Sequence, residues 1–187
     1  MAGLQTVVDQ LEAAIVSLQS NVPENILDNL VEVSVNKAMS SLTTIVSVSG
    51  KGRLLYATVS ADEAPDPYME ITVDGKTLKF QTQGTSQSAQ QYRAGYVSKS
   101  VIGAVNSGGA LSNSNLRTYL GETPPLSRLA YLTQEDIETQ KDFPEETIVV
   151  SENGLPFTQS LVIKGQNKRS DYGSSPVNIT VYYSLEE

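Results

Sequence analysis

Apolar residues near the start of the chain alternate between spacings of four and three positions. The residues of this stripe are Leu4, Val8, Leu11, Ile15, Leu18 and Val22. The spacing places all six side chains along one face of a helix and is typical of a coiled-coil seam. Because a helix of roughly three heptads is marginal on its own, the stripe needs a protein surface to cover it. The pattern predicts a helix over about residues 4–20 that carries oligomerisation.

Two alternatives remain for what covers this stripe. The helix either packs on its own domain, or it associates with other copies of the chain or with a partner protein. A β-branched residue at one seam position and leucine at the other, as in Ile15 and Leu18, favours a dimer. Val7 and Ala14 widen the stripe and favour a larger bundle. The seam alone therefore leaves the number of copies open.

After the helical segment the apolar residues alternate with a period of two, which is the pattern of strands with one buried face. Asp74-Gly75 between two such runs is the strongest short hairpin signal in the chain. Many short strands separated by turn residues are typical of sandwiches and jelly rolls. We therefore predict a mainly β protein. Residues 1–30 form the helical segment, and residues 31–187 form an antiparallel β-sandwich or jelly-roll-like domain.

The last two apolar runs are predicted to pair as the closing strands of the domain. They read "QSLVIKG" and "PVNITVYYSL", and Asn153-Gly154 marks a turn shortly before them. On the final strand the alternation places one set of side chains on a single face: Val177, Ile179, Val181 and Tyr183. Residues 81–131 read as polar loops around one further strand, and "TQEDIETQKDFPEE" reads as an acidic connector with one helical turn.

Composition narrows the function classes. The net charge is −8 and the pI is about 4.6, so nucleic acids and anionic membranes are not expected partners. The chain has no cysteine and no histidine, which excludes disulfides, a Ser-His-Asp triad and the usual zinc sites. It shows neither a signal peptide nor an apolar run that could span a membrane. We expect a protein made in a cytoplasm and not exported by a signal peptide.

The stretch "SGKGR" resembles a phosphate-binding loop only superficially. A P-loop requires a serine or threonine after its lysine and then a helix, whereas Lys51 is followed by Gly52 and another strand-like run. We therefore predict a hairpin turn in which Gly50 and Gly52 are structural and Lys51 is exposed.

Two acidic clusters are candidate sites. The first is either a solvated turn or a set of calcium ligands, and it contains Asp62, Glu63, Asp66 and Glu70. The second is either a solvated face or the source of a glycosidase carboxylate pair, and it contains Glu135, Asp136, Glu138, Asp142, Glu145 and Glu146. Prolines interrupt the first cluster, and the second is typical of a solvated face. No catalytic residue, metal ligand or cofactor is therefore predicted.

Four tyrosines lie in or beside the polar loops: Tyr92, Tyr96, Tyr119 and Tyr131. An aromatic ring with a hydroxyl group can stack on a sugar or contact a partner protein. The alternative is that these rings are buried anchors of the β domain.

The stretches "VSVSGKGRLLYATVS", "MEITVDGKTL", "FTQSLVIKG" and "VNITVYYSLE", preceded by an oligomerising helix, resemble the small β-sandwich proteins of tailed-phage virions. The resemblance covers about residues 44–80 and 155–185. It implies a homo-oligomer, a trimer in preference to a dimer, that is anchored to other virion proteins and displays its β domain. Head fibres, capsid decorations and tail-fibre adaptors share this plan.

The leading functional hypothesis is therefore a non-enzymatic structural protein of a phage virion, attached through its N-terminal region. The alternative is a module that binds a host receptor or host-surface glycan through the tyrosine-bearing loops.

Overall fold

The computed structural model describes residues 29–61, 66–82, 93–100, 128–169 and 176–186. The predicted helix and its six seam residues lie outside this part of the chain and stay a prediction. Eleven strands and one short helix are described. The strands are β1 Leu30–Ala38, β2 Thr43–Ser49, β3 Lys51–Ala61, β4 Pro67–Val73, β5 Lys76–Gln81, β6 Ala94–Ser98, β7 Arg128–Tyr131, β8 Thr147–Ser151, β9 Leu155–Phe157, β10 Ser160–Asn167 and β11 Pro176–Glu186, and the helix is α1 Gln134–Glu138.

Across these ranges the strands form two sheets. Sheet A has the order β1-β11-β3-β6-β8-β7, with β9 also paired to β3, and sheet B has the order β2-β10-β4-β5. Buried side chains of both sheets belong to one core cluster, including Val59 and Ile179 from sheet A and Met69 and Ile163 from sheet B. The prediction of a mainly β protein is confirmed.

Sheet A is not wholly antiparallel, so that part of the prediction is wrong. β6 and β7 both pair with β8 in parallel. Parallel neighbours require a crossover connection of a dozen or more residues. The segment 132–146 between β7 and β8 is long enough; it contains the predicted acidic connector at residues 133–146, which holds the predicted helical turn as α1. That connector therefore joins two parallel strands.

The turn between β2 and β3 passes from one sheet to the other, so the predicted hairpin is wrong. Gly50 has a φ of +123°, a value that favours glycine, and its N–H donates to the Gln159 carbonyl at 2.9 Å. Lys51 is exposed, as predicted. A Cβ on Gly52 would lie 2.2 Å from the carbonyl oxygen of Ser184 and 2.6 Å from the Phe157 ring, so only glycine fits there.

The last two strands do not pair with each other, which corrects a second prediction. β10 lies between β2 and β4 in sheet B, whereas β11 lies between β1 and β3 in sheet A. The face predicted for the final strand is confirmed, because all four of its side chains are buried in the core: Val177, Ile179, Val181 and Tyr183. The Asn153-Gly154 turn lies between β8 and β9, but these two strands do not pair with each other. β8 pairs with β6, and β9 pairs with β3.

The centre of sheet A is buried on both faces. β6 is buried along its whole length, and β8 is buried at four of its five residues. One row of directly paired residues crosses the face turned away from sheet B and consists of Tyr182, Tyr56, Val97, Val150 and Tyr131. The first four are buried, and Tyr131 is exposed at the β7 edge. Parallel strands covered on both faces are expected to be apolar on both.

Asp74 ties the β4–β5 hairpin to the turn before β10. Its carboxylate accepts hydrogen bonds from the Thr158 N–H at 2.8 Å, the Thr158 hydroxyl at 2.9 Å, the Gln159 N–H at 2.8 Å and the Ser160 N–H at 2.9 Å. Burial by itself would raise the pKa of Asp74, but the hydrogen bonds from Ser160, Thr158 and Gln159 lower it below its usual value. The ionised side chain therefore stabilises this end of the domain.

We expect Asp74→Asn to lower the free energy of unfolding at neutral pH by about 1–2 kcal/mol, a value limited by solvent screening. Since the folded-state pKa of Asp74 is lowered, its contribution is complete above the unfolded pKa of about 4 and is lost as pH falls through the folded value. The variant should therefore lose less stability than the wild type on acidification. Denaturant unfolding followed by circular dichroism between neutral and acidic pH measures both effects.

Glu135→Gln is the matched control for Asp74→Asn. It also removes one carboxylate charge, but from an exposed position in the first turn of α1. The control should keep the wild-type dependence of stability on pH. An Asp74→Asn variant with the same acid sensitivity as the wild type would contradict the role given to this carboxylate.

Candidate functional site

Polar residues come together at the ends of the parallel strands β6, β7 and β8. β6 ends at Ser98, which pairs directly with Ser151 at the end of β8. β7 ends at Tyr131, beside Val150 of β8. Because parallel strands run in the same direction, the residues that follow them meet at one edge of the sheet. We call the group at this edge the Lys99 cluster, and it consists of Tyr96, Ser98, Lys99, Ser100, Tyr131, Ser151 and Glu152.

Lys99 is held by an acid and an aromatic ring. Its Nζ lies 2.5 Å from Glu152 Oε1 and 4.9 Å from the centroid of the Tyr131 ring. The hydrogen bond to Glu152 raises the pKa of Lys99, and the interaction with Tyr131 adds to this. A raised pKa keeps the ammonium group protonated near neutral pH. Lys99 is therefore suited to donate hydrogen bonds and is poorly suited to act as a general base.

A layer of hydroxyl groups lies beneath this ion pair. The Tyr96 hydroxyl and Ser151 Oγ are 2.5 Å apart, and Ser98 Oγ and Ser100 Oγ are 2.6 Å apart. Ser98 Oγ also donates to the Glu152 carbonyl at 3.3 Å. Burial raises the pKa of the Tyr96 phenol well above its usual value, so this hydroxyl stays neutral. These bonds fix the backbone that carries Lys99 and Glu152.

The outer part of the cluster is open to solvent. The Tyr131 side chain is 61 % exposed, the highest value among the large hydrophobic residues described. Glu152 and Asn153 are exposed as well. Arg53 donates from Nη1 to the Asn153 carbonyl at 3.2 Å, and its Nε lies 3.5 Å from Glu186 Oε1. The exposed Tyr131 ring therefore lies beside the Lys99–Glu152 ion pair, and a second ion pair, Arg53–Glu186, is bonded to the backbone at Asn153.

The four candidate tyrosines fall into different environments. Tyr96 is fully buried in the core, which matches the alternative of a buried anchor. Tyr131 is at the surface. Tyr92 and Tyr119 lie outside the described residues. Sequence reasoning missed Lys99 and Glu152, although each directly follows a strand-like run that ends in serine.

One described member of each acidic cluster, Glu70 and Asp136, has a clear structural role. Glu70 accepts a hydrogen bond from the Tyr68 hydroxyl at 2.8 Å. Asp136 forms a capping box with Thr133 at the start of α1 and lies 2.5 Å from Lys141 Nζ. Burial alone would raise the pKa of Asp136, but the hydrogen bonds from Lys141 and Thr133 lower it. Asp62 and Glu63 lie outside the described residues.

No group of three or more metal-ligating side chains occurs in the described ranges. In the same ranges no helix has the length and apolar character needed to cross a membrane. The chain matches no protein-family model, no curated protein and no solved structure. The geometry and chemistry of its own residues are therefore what bear on function.

Proposed function

We propose that the chain is a non-catalytic structural protein of a phage virion, a fibre, decoration or adaptor. In this proposal it self-associates and attaches through its N-terminal region and displays the two sheets outward as a β-sandwich. The observation that carries the proposal is the position of β1. Leu30 begins this strand at the edge of sheet A, directly after the segment that contains the seam stripe.

The described residues of the β domain form a core of their own. The described core runs from Met39 to Tyr183 and joins both sheets. A domain with its own core leaves the seam residues free to bind other copies or a virion partner. The resemblance of residues 44–80 and 155–185 to phage virion proteins supports the same division of roles.

The surface of sheet B suits a displayed domain. Along β10 the side chains alternate between buried and half-buried positions. On the solvent face, Lys164 pairs with Glu70, which pairs in turn with Lys79 across three strands. Mixed charges of this kind, together with a net charge of −8, favour solubility while copies assemble.

Replacing Leu11 and Ile15 together by aspartate tests the role of the N-terminal segment. Two charges would stand where the seam needs apolar contacts, at a cost of several kcal/mol per subunit. We expect the mass measured by light scattering to fall to that of a smaller species. The β signal in circular dichroism should remain, because the described strands of both sheets share a core of their own.

The matched control replaces Gln10 and Gln19, which are polar positions beside the same stripe, by aspartate. It adds the same charge and should keep the wild-type mass. If the Leu11→Asp and Ile15→Asp double variant also keeps the wild-type mass, the helix packs on its own domain and the proposal is wrong.

A second candidate function, binding of a host-surface glycan, is favoured by the Lys99 cluster. An exposed ring such as Tyr131 offers an apolar surface for the carbon face of a sugar. Lys99 beside it donates hydrogen bonds, and Glu152 accepts them. Because these two charges pair with each other, the site favours uncharged sugars over anionic ones.

Tyr131→Ala should abolish binding of the protein to immobilised neutral oligosaccharides if this candidate function is correct. Leu129→Ala is the control, because Leu129 lies on the same strand and is 42 % exposed. The control should bind as the wild type does. Equal binding by the wild type and Tyr131→Ala, or no binding by the wild type, would exclude the site.

A further inference from the structure

Apolar side chains concentrate along one side of the β domain. Five partly buried hydrophobic residues that pack on the core belong to only two strands, β1 and β2, and they are Val31, Val33, Val35, Ile45 and Val48. Leu30 and Leu42 beside them are 37 % and 39 % exposed. We call this surface the β1–β2 side.

Both sheets end at the β1–β2 side. β1 is the terminal strand of sheet A, β2 is the terminal strand of sheet B, and the two strands contact each other. The core between the sheets therefore reaches the surface where β1 and β2 meet. Apolar residues at such a margin are stabilised when another surface covers them.

The edge of β1 has few of the features that block pairing with another chain. Its register with β11 runs without a shift from Leu30 opposite Ser184 to Ala38 opposite Pro176, so β1 has no bulge, and it contains no proline. The β5 edge of sheet B is different, because the Lys79 N–H donates to the Lys141 carbonyl at 3.1 Å. The β7 edge is only four residues long. β1 is therefore the longest strand that has no second neighbour among the described strands.

The charge of the β1–β2 side favours a second copy of the chain as the partner. The nine residues of β1 and the seven of β2 contain one acid, Glu32, and one base, Lys37. This side is neutral in a chain whose net charge is −8. A second copy of the chain can approach it without the like-charge repulsion that other surfaces would produce.

We propose that the β1–β2 side packs on a second copy of this chain. The inference rests on the self-association proposed above and adds the surface of the β domain that takes part. Val22, the last seam residue, precedes Leu30 by eight residues, which span at most about 28 Å. Copies joined through the seam would therefore hold their β1 strands within reach of one another and raise their effective concentration.

Single cysteines test this interface cleanly, because the chain has no cysteine of its own. Ser34→Cys places a thiol at an exposed position in the middle of β1, and Gln134→Cys places one at the exposed start of α1. A short bismaleimide crosslinker is added to each full-length variant. We expect covalent dimers as the main product of Ser34→Cys and only traces from Gln134→Cys.

Light scattering on the same samples separates this inference from the proposed function. If the protein is associated but Ser34→Cys links no better than Gln134→Cys, another surface covers the β1–β2 side and the inference alone is wrong. If the protein is monomeric, both proposals fail. Crosslinking of Ser34→Cys to a different protein would also overturn the choice of a second copy.

Discussion

The burial of β3 on both faces is the constraint on which the rest of the structure depends. This strand pairs with β11 along one edge and with β6 and β9 along the other. Close approach is possible there because glycines stand at the tightest contacts. A Cβ on Gly95 would lie 2.1 Å from the Ala57 carbonyl oxygen, and Gly52 is packed just as closely. Because β6 pairs with β3, the position of β3 determines that of β6. The parallel strands β8 and β7 beside β6 then bring Lys99, Tyr131 and Glu152 together.

The two edges of sheet A, β1 and β7, are surfaces of different kinds. Its β1 edge is long, neutral and apolar at the margin of the core, and it follows the segment that carries the seam stripe. Its β7 edge, at the other end of the strand order, carries the exposed ring of Tyr131. In the two proposals, the β1 edge associates with copies of the chain and the β7 edge is left for display. The proposed structural role and the candidate glycan site are therefore compatible in one molecule.

The local features of the fold could be predicted from the sequence, and the long-range ones could not. The alternation along β11 fixed which face is buried, and Asp74-Gly75 correctly marked a hairpin. Alternation gives the face of a strand and not its neighbour, so the closing pair and the β2–β3 hairpin were assigned wrongly. The contact between Lys99 and Glu152 depends on the parallel register of two strands that are distant in the chain. No local pattern reports such a register.

Hydrogen–deuterium exchange followed by mass spectrometry tests the central claim, a domain that folds around β3 and associates through β1. The wild type is compared with the Leu11→Asp and Ile15→Asp double variant. We expect β3 amides to exchange slowly in both proteins, because β3 is buried within the core of the single chain. Amides of β1 should be protected in the wild type and exchange faster in the variant. Equal β1 exchange in the two proteins, or β3 exchange as fast as that of β1, would contradict the account.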